Sequence, residues 1–253
     1  APTPRPRSCA IHARRSVTIG GAERSSVIFM STVVTHGRLE ALVVATGGHT
    51  EMGRLADLLA EATLVFDESG YSGTRVDEIA RRSQSTKRMI YYYFGSKEQL
   101  YLAVLENAYR GIREAEQALD VGDLEPVEAL RRLAELTYDH HLASSEFIRL
   151  IAIENIHRGR FITQLDSLRE LNKPALGILD EILRRGRENG SFRPEIESLD
   201  VHMLISSYCV FQVANQHTFG YLFDVDLQKP ERRDHLRGVI GDVVVAWLSA
   251  PAA

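Results

Sequence analysis

The chain has 253 residues, 44% of them hydrophobic and 25% charged, with a formal net charge of −4. That length buries the core of one or two domains, and the acidic balance excludes bulk positive charge as a ground for binding nucleic acid. The two cysteines, Cys9 and Cys209, make neither a disulfide framework nor a paired-cysteine zinc site; no apolar run approaches the roughly 20 residues of a membrane helix, and "APTPRPRSCAIHARR" lacks the apolar middle of a secretory signal, so the expectation is a cytoplasmic protein with no membrane partner.

Residues 1–50 form an N-terminal extension. They carry six Arg against two Glu, a net of +4 that leaves −8 for the rest of the chain. The first 20 or so residues are rich in Pro, Arg and Ser without periodicity and read as disordered or loosely attached. "VIFMSTVV" and "LEALVVAT", separated by "THGR", then read as a short hairpin with Gly37 in its turn, and Gly47 and Gly48 break the pattern.

Helical spacing begins next. Thr50 is an N-cap for a helix from Glu51 to about Asp67, in which Leu55, Leu58, Leu59, Ala62, Val65 and Phe66 repeat on one face until Gly70 stops it. A second helix starts at Thr74, whose hydroxyl caps it while Asp77 and Glu78 sit near the positive dipole end, and it runs to about Ser83. A third, "KRMIYYYF", is closed by Gly95. Short helices joined by a tight polar turn behind a longer one make a helix-turn-helix over residues 51–96.

In the third helix, 100° per residue sets Ile90, Tyr93 and Phe94 on one side and Lys87, Arg88, Tyr91 and Tyr92 on the other. The outward set suits phosphates and base edges, and the helix N-terminus at Thr86 adds backbone N–H donors. Arg81, Arg82, Lys87, Arg88 and Lys97 form a cationic cluster whose field reaches about 8 to 10 Å at physiological salt.

Residues 97–253 read as all-α, with apolar-periodic segments at about 97–119, 125–142, 145–158, 161–171, 174–188, 198–222 and 230–249. The fold class is therefore all-α, with a hairpin-like or disordered extension in front.

"VFDESGYSGTRVDEIARRSQSTKRMIYYYFGSKEQLYLAVLE", residues 65–106, strongly resembles the DNA-binding domain of the TetR family of transcriptional regulators. The matching pieces are Phe66-x-x-x-Gly70, Thr74 with "V-x-x-IA", and "IYYYFGSKEQL"; the likeness extends more weakly to about residue 249 through the "ENGSFRPE" turn. The resemblance implies that Thr74, Tyr92 and Lys97 hold phosphates while Lys87, Arg88 and Tyr91 enter the major groove. It also implies a homodimer on double-stranded operator DNA, a small-molecule effector in the helical domain, no cofactor, and a repressor released by that effector. The chain departs from the family in its turn, where Ser83, Gln84 and Ser85 replace the usual Ala-Gly-Val. A Gln where Gly takes positive φ costs about 1 kcal/mol.

Residues 25–59, "SSVIFMSTVVTHGRLEALVVATGGHTEMGRLADLL", resemble a piece of the actuator domain of P-type cation-transporting ATPases, without that family's Thr-Gly-Glu loop or phosphorylated Asp. Transport and nucleotide hydrolysis are not expected. The segment reads either as a fused start or as sequence upstream of a start at Met52.

For dimerisation, "ALGILDEILRRG", "HMLISSYCVFQVAN" and "LRGVIGDVVVAWL" supply apolar faces, with Gly238 and Gly241 allowing close approach. Residues that could orient an effector are His141, Glu154, Asn155, His157, Tyr208, Gln212, Asn215 and His217, although a polar residue on a mostly apolar helix more often satisfies an internal hydrogen bond. Glu154 and His157 have the i, i+3 spacing of helix-bundle metal sites but occur once, and no metal is expected. No grouping supports catalysis. The competing expectation is an effector-binding or scaffold dimer that has lost DNA binding through its altered first helix and turn.

Overall fold

The computed structural model describes the backbone of residues 9–13, 27–28 and 41–46 and, with side chains, residues 50–119 and 121–249. The chain divides into two compact units, one of residues 1–62 and 75–93, the other of residues 63–74 and 94–253.

In the first unit, β1 (Cys9–Ala13) lies between β2 (Val27–Ile28) and β3 (Ala41–Thr46), antiparallel to both. Ile11 pairs with Ile28 and Cys9 with Thr46, with a register irregularity at Ala10/Ile11. This corrects two expectations. β2 and β3 are not neighbours in the sheet, and residues 9–13, "CAIHA", read as part of a disordered start, form its central strand. Gly37 and the proposed turn lie outside the described residues.

Helix α1 (Glu51–Gly73) opens as expected: the Thr50 hydroxyl accepts the Gly53 N–H at 2.9 Å. Its regular path breaks at Gly70, which takes φ +64. Within the first unit, Leu58 and Ala62 of α1 are buried, as are Val76, Ile79 and Ala80 of α2 (Val76–Arg82) and Ile90 of α3 (Lys87–Phe94). The four-residue turn from Ser83 to Thr86 is closed by the Ser85 N–H on the Ala80 carbonyl at 2.9 Å and by the Ser83 hydroxyl on the Ile79 carbonyl at 2.7 Å. Gln84 takes φ +50, the left-handed conformation that the missing glycine would occupy without strain.

The second unit contains α4 (Lys97–Gln117), α5 (Pro126–Ala143), α6 (Ser145–Ile156), α7 (Asp166–Glu188), α8 (Ser198–Ala214), α9 (Gln216–Phe223) and α10 (Pro230–Ser249). Two boundaries differ from the sequence reading. The segments split at "NKP" are one helix: α7 runs through Pro174 because a single buried stripe of Leu168, Ala175, Leu179, Ile182 and Leu183 continues on both sides of it. The segment 198–222 is instead broken at Asn215 into α8 and α9.

The main core collects Leu130, Leu133 and Tyr138 of α5, Leu179 and Ile182 of α7, Val201 and Ile205 of α8, and Ile240 and Val244 of α10. Phe192, in the turn after α7, enters it by lying against Gly186, where a Cβ would stand 1.9 Å from the ring. Gly241 is also an internal contact, since its Cβ position faces Arg131 of α5 at 2.9 Å; only Gly238 is open, so the expected pair of glycines on a dimer face is reduced to one. A second, aromatic cluster joins Phe66 and Tyr71 to Tyr101 of α4 and to Phe161. Beside it the Arg149 guanidinium of α6 donates to the Asp67 carboxylate from Nε at 2.6 Å. Among the described residues no helix is long and apolar enough to cross a membrane.

Candidate nucleic-acid interface and interior cleft

Helix α3 follows the helical period read from the sequence. Ile90 is fully buried and Tyr93 and Phe94 half-buried, while Thr86, Lys87, Arg88, Tyr91 and Tyr92 are exposed. The Thr86 hydroxyl accepts the Met89 N–H at 3.2 Å and so caps the helix. Tyr93 turns back and donates to Glu51 of α1 at 2.8 Å, fixing the rotation of α3 about its axis.

The cationic field of this face is smaller than its count of basic residues. Glu78 binds both arginines of α2, Arg81 through Nη2 at 2.6 Å and Arg82 through Nε at 2.8 Å, and those bonds hold its carboxyl at a pKa of about 2. Lys87 is paired with Asp77 at 2.6 Å. Arg88 is exposed and has no ion-pair partner among the described residues.

Two expected phosphate contacts lie in the second unit and look inward. Thr74 does not cap α2, whose N-cap is Arg75; its side chain is buried, with the hydroxyl 2.7 Å from the Gly70 carbonyl and 3.1 Å from that of Val65. Its backbone N–H is also used, on Gly70. Thr74 therefore offers no free donor to a phosphate. The Lys97 ammonium donates to the Thr74 carbonyl at 2.6 Å and stands over the Tyr71 ring, and burial pushes its pKa down. It can reach a phosphate only with its remaining donors.

The expected effector residues do not converge. Glu154 is 2% exposed and engaged, accepting from the Tyr101 hydroxyl at 3.1 Å and from the Phe161 and Ile162 N–H groups at 3.1 and 3.0 Å. Its role is to hold the chain after α6, and three of its four acceptor sites are already used by those bonds, which leaves the metal reading with His157 little to rest on. Asn155 bonds the Ile151 carbonyl, His157 is the exposed C-cap of α6, Tyr208 donates to the Leu236 carbonyl, Asn215 marks the α8–α9 break and His217 is exposed. His141 and Gln212 remain, both buried, with the Gln212 Oε1 lacking a partner among the described residues. Burial, with His140 as the next cause, pushes the His141 pKa down to about 4.

Sequence reasoning missed the polar groups around them. Arg113 and Glu116 of α4, an ion pair at 2.7 Å, are buried on the same stripe as Leu105 and Ile112, and two charges in phase with an apolar stripe were the available signal. His140 and His202 are likewise pushed down, by burial and then by Arg113. His202 also lines an open cleft of about 500 Å³ with Tyr109, Leu168, Arg169, Leu176 and Leu199.

Residues 58–104 match the family model described as bacterial regulatory proteins, tetR family, and residues 126–244 match the tetracyclin repressor-like C-terminal domain. The HTH-type transcriptional repressor NicS of Pseudomonas putida is 34% identical over 192 residues, covering 76% of this chain and 91% of NicS. The HTH-type transcriptional activator FasR of Mycolicibacterium smegmatis is 35% identical over 102 residues, 39% of this chain and 45% of FasR. The crystal structure of the putative transcriptional regulator SCO4942 from Streptomyces coelicolor superposes with a TM-score of 0.57 at 27% identity, over 75% of this chain and 97% of that one. The transporter resemblance of residues 25–59 gains no support from these matches, and the strand order around β1 is not the hairpin on which it was read.

Proposed function

From the premise that this chain belongs to the TetR family of bacterial transcriptional regulators, we propose that it represses transcription as a homodimer on operator DNA and is released by a small molecule. Residues 51–96 serve as the DNA-binding domain and residues 97–253 as the effector-binding and dimerisation domain. The observation that carries the reading is the outward face of α3, where Thr86, Lys87, Arg88, Tyr91 and Tyr92 stand exposed while Ile90 is buried. Arg88 and Lys87 are assigned to base edges with Tyr91, and Tyr92 and the α3 N-terminus to phosphates, with Lys97 a weaker phosphate contact.

Repression is favoured over activation by the likeness to NicS, which spans most of both chains, against less than half of FasR. The dimer reading is supported by apolar side chains left exposed on the last two long helices, Met203 and Phe211 of α8 and Val243 of α10. Effector binding shifts the dimer toward a form whose two recognition helices no longer match successive major grooves, and operator DNA weakens effector binding by the same factor. Operator access places the protein in the cytoplasm, and no catalytic activity is assigned.

A second reading has its own observation: Glu78 and Asp77 pair with Arg81, Arg82 and Lys87 and offset two of their three charges, which favours a dimer that binds effector without reading DNA. Titrating the full chain, and a version starting at Met52, against DNA flanking its own gene across a salt series separates the two. Steep loss of affinity with salt supports the repressor. A folded dimer without salt-dependent affinity supports the second reading.

A further inference from the structure

We propose that the open cleft lined by α7 and α8 takes a small organic carboxylate, its apolar body lying among the α7 and α8 side chains and its carboxylate bound by the Arg113 guanidinium. The inference rests on the effector reading above and names the chemistry of its ligand.

The cleft has one wall of Leu168, Ala175 and Leu176 and another of Leu199, and among the described residues no acidic side chain lines it. Its polar lining includes Arg169 and His202. An amphiphile with an anionic end suits such a lining, and an amine does not. Tyr109 lines the same cleft from α4, and Arg113 follows one turn later at i+4 on the same helix face. Arg113 is only 6% exposed, yet its Nε–H has no acceptor among the described residues. A guanidinium has five donors in a planar fork, and the single carboxylate beside it, Glu116, approaches one end. A buried cation with donors unused is costly, and a second carboxylate answers it by the bidentate geometry a guanidinium prefers. Arg113 itself stands outside the cleft lining, so the ligand's carboxylate reaches it past Tyr109.

Glu116 has a definite part. It competes for the guanidinium that the ligand would use, and burial raises its pKa, so the pair is an imperfect resting partner. Replacing Glu116 with a neutral isostere should strengthen carboxylate binding, whereas a site in which the pair merely holds α4 in place would be weakened or left unchanged.

The test uses the full chain without DNA, so that operator binding plays no part in the readout. Benzoate, hexanoate and octanoate are each titrated by calorimetry beside benzamide, hexanamide and octanamide, with melting temperature as a second readout. The expected result is that at least one acid binds tenfold or more tightly than its own amide. Arg113→Gln should remove that preference and Glu116→Gln should increase it. Should Arg113→Gln fail to fold by circular dichroism, Leu176→Trp, which fills the cleft, must abolish acid binding. The proposal is overturned if no acid binds, if acids and amides bind alike, or if folded Arg113→Gln or Leu176→Trp retains the preference. Failure of the acids would leave the repressor reading intact, and failure of operator binding would leave the acid preference standing.

Discussion

Lys87, the first residue of the proposed recognition helix, is held by Asp77 of the preceding helix at 2.6 Å, with both side chains about half exposed. The pair gives little stability, since exposed ion pairs contribute about 0 to 1 kcal/mol. Its consequence lies in binding, because a lysine occupied by a carboxylate must leave it to meet DNA. Asp77→Asn should therefore raise operator affinity several-fold at low salt. Titration of the variant beside the parent at two salt concentrations checks this, and an unchanged affinity would remove Lys87 from the interface.

Arg88 has no such partner among the described residues and should carry more of the recognition. Arg88→Ala is expected to cost about 1 to 3 kcal/mol on the operator and to relax sequence choice, as loss of a bidentate base contact does. Competition with mutated operator sequences measures it. A uniform loss across all sequences would reassign Arg88 to phosphate.

Gln84 at φ +50 predicts a stabilising change. A non-glycine residue there is strained by about 1 to 2 kcal/mol, part of which glycine returns as unfolded-chain entropy. Gln84→Gly should raise the stability of the first unit by about 0.5 to 1 kcal/mol. The urea midpoint should rise without a change in slope.

Gly186 predicts the opposite sign. A methyl group there would overlap the Phe192 ring at 1.9 Å, inside the main core. Gly186→Ala should destabilise the second unit by about 1 to 3 kcal/mol through overpacking. Adding Phe192→Leu should recover part of the loss in a double-mutant cycle, and additive losses would show that the ring is free to move aside.

Acid should weaken the fold through His141. Its folded pKa, about 4, lies below the ordinary 6.5, so between those values the unfolded chain binds the proton and the folded chain does not. Stability is then full above pH 6.5 and falls as pH drops toward 4, by at most about 3 kcal/mol from this group. His140 and His202 act in the same direction, and Glu116, raised by burial, opposes them. His141→Gln should make the loss of chemical-denaturation stability between pH 6.5 and 4.5 shallower.

The first-unit helices were legible because one face of α3 is buried, and a buried face imposes its period on the sequence. Ile90 and Tyr92 could be assigned to opposite sides from spacing alone. Thr74 was misread for a local reason: Gly70 breaks α1 and leaves carbonyls unsatisfied, which capture the threonine hydroxyl and N–H before α2 begins. Pro174 was misread for a non-local one, since the stripe that carries α7 through it gains its energy from helices distant in sequence. Arg113 and Glu116 escaped because a charged pair on a helix is ordinarily solvated, and their phase with the apolar stripe of Leu105 and Ile112 was the one sign that this pair is covered. β1 escaped because five residues are too few for a period to stand out from the prolines and arginines around them.

Glu154, read from the sequence as a ligand group, acts on the cleft from behind. Its carboxylate joins Tyr101 of α4 to the amides of Phe161 and Ile162, and the same two segments, through Tyr109 and through Ile162 and Thr163, supply parts of the cleft lining. One buried side chain thus ties together two segments that each contribute to the opening. A guest would meet an opening braced in advance by a residue that never touches it.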